Sequence, residues 1–277
     1  MEAHTGDRIM SDARRYMFTQ NEMDKAEYLA FQERLASHTI GILTDGGRGV
    51  GTGTLASFNG HRVILTAHHV IKDTPISKLR FSFRPEGNLE EVPMQHVPLP
   101  GRKIPLLSGA SIKSTSVVTD ETNDITAIVL HEEYQIGGAA TVYGPLQQPK
   151  GNIPDGTSVL LLGFPVGNSI NVAPNIKAVG AVSDHMRYDS KLNEQKYLPS
   201  SFDPDSQFLL KYEWAKDGLL PHGFSGAGLW CSRNSNTPIW TPNPFLIGVV
   251  TSYLKRSNLL VAANRKSILA LLTQIRA

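Results

Sequence analysis

The sequence predicts an all-β protein made of two antiparallel barrels, with a helical segment near each end of the chain. Short apolar or alternating runs fill two stretches of the sequence, and Gly-rich or polar stretches separate these runs. Helical spacing of apolar residues is found near the two ends. With 277 residues the chain can bury a sizeable core, and its length fits two small barrels with short extensions.

The first predicted element is a helical extension over residues 1–38. Asn21 is a suitable N-cap for this helix. Tyr28, Phe31 and Leu35 then recur at i, i+3 and i+7, which places them on one helix face. Because this segment is charged and precedes the β-rich part of the chain, we also advance the hypothesis that it docks a regulatory protein partner.

The first barrel is predicted over residues 39–135. Its clearest runs are residues 39–44, 62–66 and 124–130, and these runs are separated by turn residues. Residues 136–156 are rich in Gly and Pro, which predicts a linker with few regular hydrogen bonds. We therefore expect the domain boundary in this linker.

The second barrel is predicted over residues 157–262. Its short runs include residues 158–162, 176–182, 208–212 and 245–252, with turn residues between them. Between residues 183 and 207 the chain is polar and holds five acidic residues, which predicts a mobile loop there.

Residues 263–277 predict a closing helix. Asn264 precedes it as a candidate N-cap. The apolar positions at i, i+3, i+4 and i+7 are Ile268, Leu271, Leu272 and Ile275. This stripe is typical of a structural helix that docks one face on the body of the protein.

The composition argues against several partner classes. Lys and Arg number 27 against 25 Asp and Glu, and a net charge of +2 is too small to indicate nucleic acid or an anionic membrane as the main partner. The single cysteine, Cys231, cannot form an internal disulfide, which favours a reducing compartment and thus the cytoplasm. The sequence contains no run of about 18 apolar residues and does not begin with a basic segment and an apolar stretch, so we expect no membrane partner.

The most informative segment is residues 221–230, which read PHGFSGAGLW. Four small residues surround Ser225, and glycine permits both a tight turn and a close approach to backbone N–H groups. A nucleophilic hydroxyl needs such a turn, on which the Gly223 and Ser225 amides would face a developing oxyanion. The alternative interpretation is an ordinary Gly-Ser loop, so other segments must decide.

A histidine and an aspartate occupy suitable positions earlier in the chain. His69 lies at the end of an apolar run, where a general base can sit beside a nucleophile without being freely solvated. Asp124 lies at the mouth of another largely apolar run, from which a carboxylate can hold an imidazole in one tautomer. Each residue alone is more often structural, but the conjunction with Ser225 indicates nucleophilic catalysis.

Three motifs resemble those of trypsin-like serine peptidases, whose catalytic residues follow the same His, Asp, Ser order. They are TAHH at 66–69, DITA at 124–127 and GFSG at 223–226. Weaker matches are similar to bacterial, disulfide-free members of that family and lie at 49–54, 163–167, 180–183 and 247–252. The resemblance spans residues 39–262.

This resemblance implies two six-stranded barrels of the chymotrypsin type, with the active site between them. It implies a serine endopeptidase that acts on a protein or peptide substrate and requires no metal or organic cofactor. His69 would be the general base and acid, Asp124 would orient it, and Ser225 would be the nucleophile. The amides of Gly223 and Ser225 would form the oxyanion hole.

Two departures from the family pattern affect control and specificity. Phe224 stands where animal members carry an Asp that pairs with a newly cut N-terminus, so activation by N-terminal cleavage is not expected. The resemblance assigns substrate binding to Leu219, Thr251 and Tyr253. Leu219 at the floor of the primary specificity pocket and Tyr253 at its wall predict a small or apolar P1 side chain rather than Lys or Arg.

Competing interpretations have less support. An α/β-hydrolase requires an acid and then a His after its nucleophile, and neither residue type follows Ser225. A phosphate loop at 49–54 would lack a third Gly and a Walker Lys, and a metal site at His68 and His69 would lack further ligands. One alternative stays open: a catalytically silent relative that uses the same fold as a protein-binding scaffold.

Overall fold

The described part of the protein is mostly β-strand. The structure, a computed structural model, describes residues 35, 38–44, 49–83, 114–130, 144–145, 153–164, 169–173, 176–179, 182–195, 198–212, 221–232 and 244–275. Two six-stranded antiparallel sheets make up most of it, and helices are few. The predicted all-β class is confirmed.

The first sheet contains six antiparallel strands from the first half of the chain. They are β1 (Thr39–Thr44), β2 (Gly49–Phe58), β3 (His61–Ala67), β4 (Leu79–Phe83), β5 (Ser114–Asp120) and β6 (Ile125–Leu130). Their order across the sheet is β4-β1-β2-β3-β6-β5, which forms a half-barrel within the described residues. A two-residue strand, β7 (Gly144–Pro145), pairs in parallel with β2. The three predicted runs correspond to β1, β3 and β6.

The second sheet contains six antiparallel strands from the other half of the chain. They are β8 (Ser158–Gly163), β11 (Val182–Arg187), β12 (Gln207–Lys211), β13 (Gly228–Ser232), β14 (Pro244–Leu254) and β15 (Leu259–Asn264). Their order is β11-β8-β13-β14-β15-β12, and the two outer strands approach each other, so this sheet is a nearly closed barrel. Strands β9 (Ser169–Ala173) and β10 (Ile176–Val179) form a separate antiparallel pair.

The main hydrophobic core lies between the two sheets and under the C-terminal helix. Leu65 of β3 and Trp230 of β13 belong to one fully buried cluster, to which Ile268 and Leu271 of the helix also belong. Apolar side chains from both sheets are thereby removed from water together, which favours their association. The two sheets and the helix therefore share one core.

The C-terminal helix covers Arg265–Leu272, as the apolar stripe predicted. Asn264 caps it, because its side-chain oxygen accepts a hydrogen bond from the Ser267 amide at 3.1 Å. A short second helix covers His68–Ile71, directly after β3. Within the described ranges no helix is long and apolar enough to cross a membrane.

The stretch 183–207 is more regular than its polar composition predicted. β11 pairs with β8 and buries Met186, and residues Ser190–Glu194 form a 3-10 helix. The prediction of a loop was wrong for β11 because a strand with one hydrogen-bonded neighbour tolerates polar residues that a central strand would exclude. The predicted run 176–182 is divided, since β10 ends at Val179 and β11 begins at Val182.

Two predicted segments lie largely outside the described residues. Of the helical extension over residues 1–38, only Leu35 and His38 are described, and both are buried. Of the linker over residues 136–156, only 144–145 and 153–156 are described.

Candidate active site

His69 and Asp124 form a close pair at one end of the first sheet. Asp124 Oδ2 lies 2.6 Å from His69 Nδ1, and Asp124 Oδ1 accepts the backbone N–H of His69 at 2.9 Å. Because a carboxylate only accepts hydrogen bonds, Nδ1 carries a proton, so in the neutral ring Nε2 has the free lone pair. The two side chains are 42% and 31% exposed, so a molecule from solvent can reach them.

Strand pairing brings these two residues together. β3 and β6 are antiparallel neighbours in which Ala67 pairs with Ile125, so the residues just after β3 lie beside the residue just before β6. Asp124 has φ +52°, a left-handed conformation that Asp tolerates better than most residues. Its backbone carbonyl accepts the His68 amide at 2.9 Å, which fixes the start of the short helix.

His68, the neighbour of His69 in the sequence, belongs to a different group of hydrogen bonds. Its Nδ1 lies 3.2 Å from Thr126 Oγ1, which in turn lies 3.1 Å from Thr119 Oγ1. The ring is half-buried beside β6. His68 is therefore hydrogen-bonded to a threonine of the first sheet and is not part of the His69–Asp124 pair.

Residues 221–227, here called the serine turn, consist of two consecutive tight turns. The Phe224 amide donates to the Pro221 carbonyl at 3.0 Å, and the Ala227 amide donates to the Phe224 carbonyl at 2.8 Å. The third residue of each turn is a glycine with positive φ, +100° at Gly223 and +91° at Gly226, which identifies both as type II turns. Half-buried Ser225 lies between the two glycines.

The backbone amides of the serine turn differ in whether they have a partner. The amides of Phe224, Gly226 and Ala227 each donate a hydrogen bond to a backbone carbonyl. In the part of the chain that the structure describes, the amides of Gly223 and Ser225 donate none. These two are the amides predicted to face an oxyanion.

Hydrogen bonds connect the serine turn to β2 of the first sheet. The Thr52 amide donates to the Ser225 carbonyl at 2.9 Å, and the Thr52 hydroxyl donates to the Gly223 carbonyl at 2.6 Å. The Thr54 hydroxyl donates to the Gly226 carbonyl at 3.0 Å. Both threonine side chains are fully buried, so these bonds are shielded from water.

The absence of side chains on two glycines allows this close contact between sheets. A Cβ atom on Gly226 would collide with the Thr52 carbonyl oxygen. A Cβ atom on Gly51 would lie 2.7 Å from the methyl groups of Val70 and 3.1 Å from the Ser225 carbonyl oxygen. Since Val70 follows His69 in the chain, the serine turn and the His69–Asp124 pair meet at the same end of the interface between the sheets.

The structure brings the three predicted catalytic residues into one region without a complete chain of hydrogen bonds. His69 and Asp124 are directly bonded. Among the described residues no hydrogen bond joins the Ser225 hydroxyl to the His69 ring. In unliganded sites such bonds are often long and tighten only when substrate binds.

Phe224 occupies the core of the second sheet. Its ring is fully buried and packs edge-on against Tyr212, whose ring packs edge-on against Tyr253. A Cβ on Gly163 would lie 2.6 Å from the Phe224 ring, so the ring fits closely against β8. Phe224 thus anchors the serine turn by apolar packing.

The residues predicted to bind substrate are only partly described. Leu219 lies outside the described residues. Thr251 is buried in β14, and its hydroxyl donates to the Val261 carbonyl at 3.3 Å. Tyr253 is half-buried, with its hydroxyl 2.8 Å from Asn258 Oδ1. The predicted small or apolar P1 preference stays a prediction.

The other nucleophile of interest, Cys231, is buried in β13 and unpaired. Burial raises the pKa of its thiol to about 12, because a thiolate is poorly solvated there. The thiol therefore stays protonated at neutral pH and unreactive.

The comparisons with known proteins assign no family. No protein-family model matches the chain, and no curated protein matches it. The two six-stranded antiparallel sheets are compatible with a chymotrypsin-like double-barrel fold.

The residues that sequence reasoning missed are the buried threonines Thr52, Thr54 and Thr66. The Thr66 hydroxyl donates to the Thr52 carbonyl at 2.8 Å, so each threonine takes part in the contact around the serine turn. The alternation of Gly and Thr at 51–54 was the available signal, because small residues permit close approach and hydroxyls satisfy buried carbonyls.

Proposed function

We propose that this protein is a serine endopeptidase that uses Ser225, His69 and Asp124. The observation that carries the proposal is the double contact of the Asp124 carboxylate with the backbone and ring of His69. Such a contact orients an imidazole and holds it in the tautomer whose Nε2 accepts a proton. A surface Asp and His that only form an ion pair do not require both contacts.

The proposed reaction proceeds through an acyl-enzyme. The Ser225 oxygen attacks the peptide carbonyl carbon while its proton passes to His69 Nε2. The carbonyl oxygen becomes an oxyanion, which the Gly223 and Ser225 amides stabilise, and Asp124 stabilises the imidazolium. The C–N bond breaks as His69 returns the proton to the leaving amine, and water then hydrolyses the ester by the same steps.

Specificity, compartment and control complete the proposal. Tyr253 packs against Tyr212, which packs against Phe224 of the serine turn, and this arrangement supports a small or apolar P1 side chain. The unpaired Cys231 supports a cytoplasmic location.

The activity of the enzyme would not be controlled by cleavage of its N-terminus, because Phe224 cannot form an ion pair with a new N-terminal amine. A partner bound to residues 1–38 is proposed to control the activity instead.

The second candidate function is a protein-binding scaffold. The missing hydrogen bond between the Ser225 hydroxyl and the His69 ring, within the described residues, favours it. A scaffold would not need the two unpaired amides of the serine turn. We therefore rank it below the peptidase.

A fluorophosphonate probe distinguishes the two candidates, because it reacts with an activated serine and needs no known substrate. We expect the intact protein to be labelled, and Ser225→Ala and His69→Ala to lose labelling by about 10³-fold or more. His68→Ala is the matched control and should keep labelling, since His68 bonds to Thr126 instead. A folded wild-type protein that is not labelled would mean either the scaffold or an enzyme that is held inactive until its partner binds.

A further inference from the structure

We infer that Thr52 is a positioning residue, whose hydroxyl holds Gly223 in the conformation that presents its amide to an oxyanion. The catalytic part of this inference rests on the proposed peptidase function. The conformational part rests on the hydrogen bonds of Thr52 alone.

The direction of the Thr52 hydroxyl is fixed by its two partners. Its oxygen lies 2.6 Å from the Gly223 carbonyl oxygen and 3.0 Å from the Phe164 amide. An amide can only donate, so the single hydroxyl hydrogen must point to the Gly223 carbonyl. Thr52 is fully buried, so water does not replace either bond.

The Gly223 peptide is the part of the serine turn that most needs such a bond. Gly223 has no Cβ and adopts φ +100°, so sterics alone restrain its rotation weakly. The peptide group between Gly223 and Phe224 is held at both ends, by Thr52 at the carbonyl and by Pro221 at the amide. With this group fixed, rotation at Gly223 is restricted and its own N–H keeps one direction.

Removal of the Thr52 hydroxyl should therefore disturb the oxyanion hole, and it also removes the acceptor of the Phe164 amide. The Gly223 carbonyl would become a buried acceptor without a donor, which is unfavourable. Rotation about the backbone bonds of Gly223 relieves this, and it changes the direction of the Gly223 N–H, which lies in the adjoining His222–Gly223 peptide.

Thr54 offers a matched comparison within the same strand. It lies two residues further along β2, is equally buried, and donates to the Gly226 carbonyl in the same turn. Gly226, whose carbonyl it holds, has its own amide bonded to the Val250 carbonyl at 2.7 Å, whereas the amide of Gly223 donates no hydrogen bond among the described residues. Loss of the Thr54 hydroxyl thus removes a similar hydrogen bond without freeing a proposed oxyanion donor.

The test compares Thr52→Val, Thr52→Ser and Thr54→Val in the full chain, with two readouts. The first is backbone amide exchange over residues 221–227, measured by mass spectrometry. The second is the second-order rate of fluorophosphonate labelling. We expect Thr52→Val to speed exchange in the serine turn and to slow labelling about 10- to 100-fold, by analogy with loss of one oxyanion donor. Thr54→Val should slow labelling less than fivefold, an order-of-magnitude expectation for one neutral hydrogen bond, and Thr52→Ser should restore most of the rate.

The two readouts separate the failure of this inference from the failure of the proposed function. Equal labelling rates and equal exchange in Thr52→Val and Thr54→Val would overturn the inference. If wild type is not labelled while Thr52→Val alone speeds exchange in the serine turn, the peptidase proposal fails and the conformational role of Thr52 holds. If either valine variant does not fold, Thr52→Ala and Thr54→Ala replace the pair.

Discussion

The two halves of the candidate site are held by different kinds of interaction. The His69–Asp124 pair is partly exposed and depends on one carboxylate that makes two short hydrogen bonds. The serine turn is fastened by backbone groups and by buried threonine hydroxyls from the opposite sheet. The first half therefore depends on charge and side-chain chemistry, whereas the second depends on backbone conformation and close packing.

This difference predicts how each half responds to substitution. A change in the His69–Asp124 pair should alter reactivity with little change in stability, because the pair is near the surface. A change in the serine turn should alter stability and reactivity together, because the turn is part of the interface between the sheets.

The largest expected effect is that of Asp124→Asn. It keeps the shape of the side chain but favours the wrong His69 tautomer, so fluorophosphonate labelling should fall about 10³- to 10⁴-fold. Asp155→Asn is the matched control, because the Asp155 carboxylate likewise accepts hydrogen bonds from the amide and the side chain of one residue, Ser190, at the start of the 3-10 helix. Equal labelling of the two variants would remove Asp124 from the proposed mechanism.

The next effect is that of Gly226→Ala on stability. The added Cβ would collide with the Thr52 carbonyl and strain a left-handed backbone, which together should lower the free energy of unfolding by about 3 kcal/mol. Gly156→Ala is the control, since it shares positive φ but has open space around it, and should cost only about 1 kcal/mol. Urea unfolding measures both, and equal losses would contradict the tight contact between the sheets.

The smallest effect concerns the pH dependence of stability at Asp155. Hydrogen bonds from the Ser190 amide and hydroxyl hold the pKa of this carboxyl below its ordinary value. A lowered folded-state pKa adds stability above the unfolded-state pKa, near 4, and this stability is lost as the pH falls through the folded-state pKa. Asp155→Asn should thus be less stable than wild type at neutral pH, and the difference should shrink below about pH 4. A constant difference down to about pH 2 would contradict this linkage.

The sequence predicted the parts of the site that depend on side-chain identity. Motifs around His69, Asp124 and Ser225 predicted a catalytic role for each, and these roles stay predictions, whereas strand pairing places His69 and Asp124 in direct contact. The threonines of β2 could not be assigned in the same way, because their importance comes from a partner about 170 residues away. Long-range contacts of this kind leave no periodic pattern in a single sequence.

The fold can likewise be divided into parts that the sequence predicts and parts that it does not. Several strands, among them β3, β6, β8 and β14, and the C-terminal helix were predicted from apolar spacing, since burial dictates both. β11 was missed because its side chains are mostly polar and its order comes from pairing with β8. Hydrogen bonding between backbones is independent of side-chain identity, so an edge strand of this composition resembles a loop when only the sequence is considered.

Because Cys231 is buried and unpaired, chemical modification of its thiol can report when the core of the second sheet opens. The thiol lies in β13, in the same cluster as Phe224, which anchors the serine turn. A thiol reagent can reach it only when that core separates, so the modification rate measures how often the core opens. If the modification rate is measured at rising urea concentrations, it would show when the packing that anchors the serine turn is lost. This measurement needs no substrate and no introduced label.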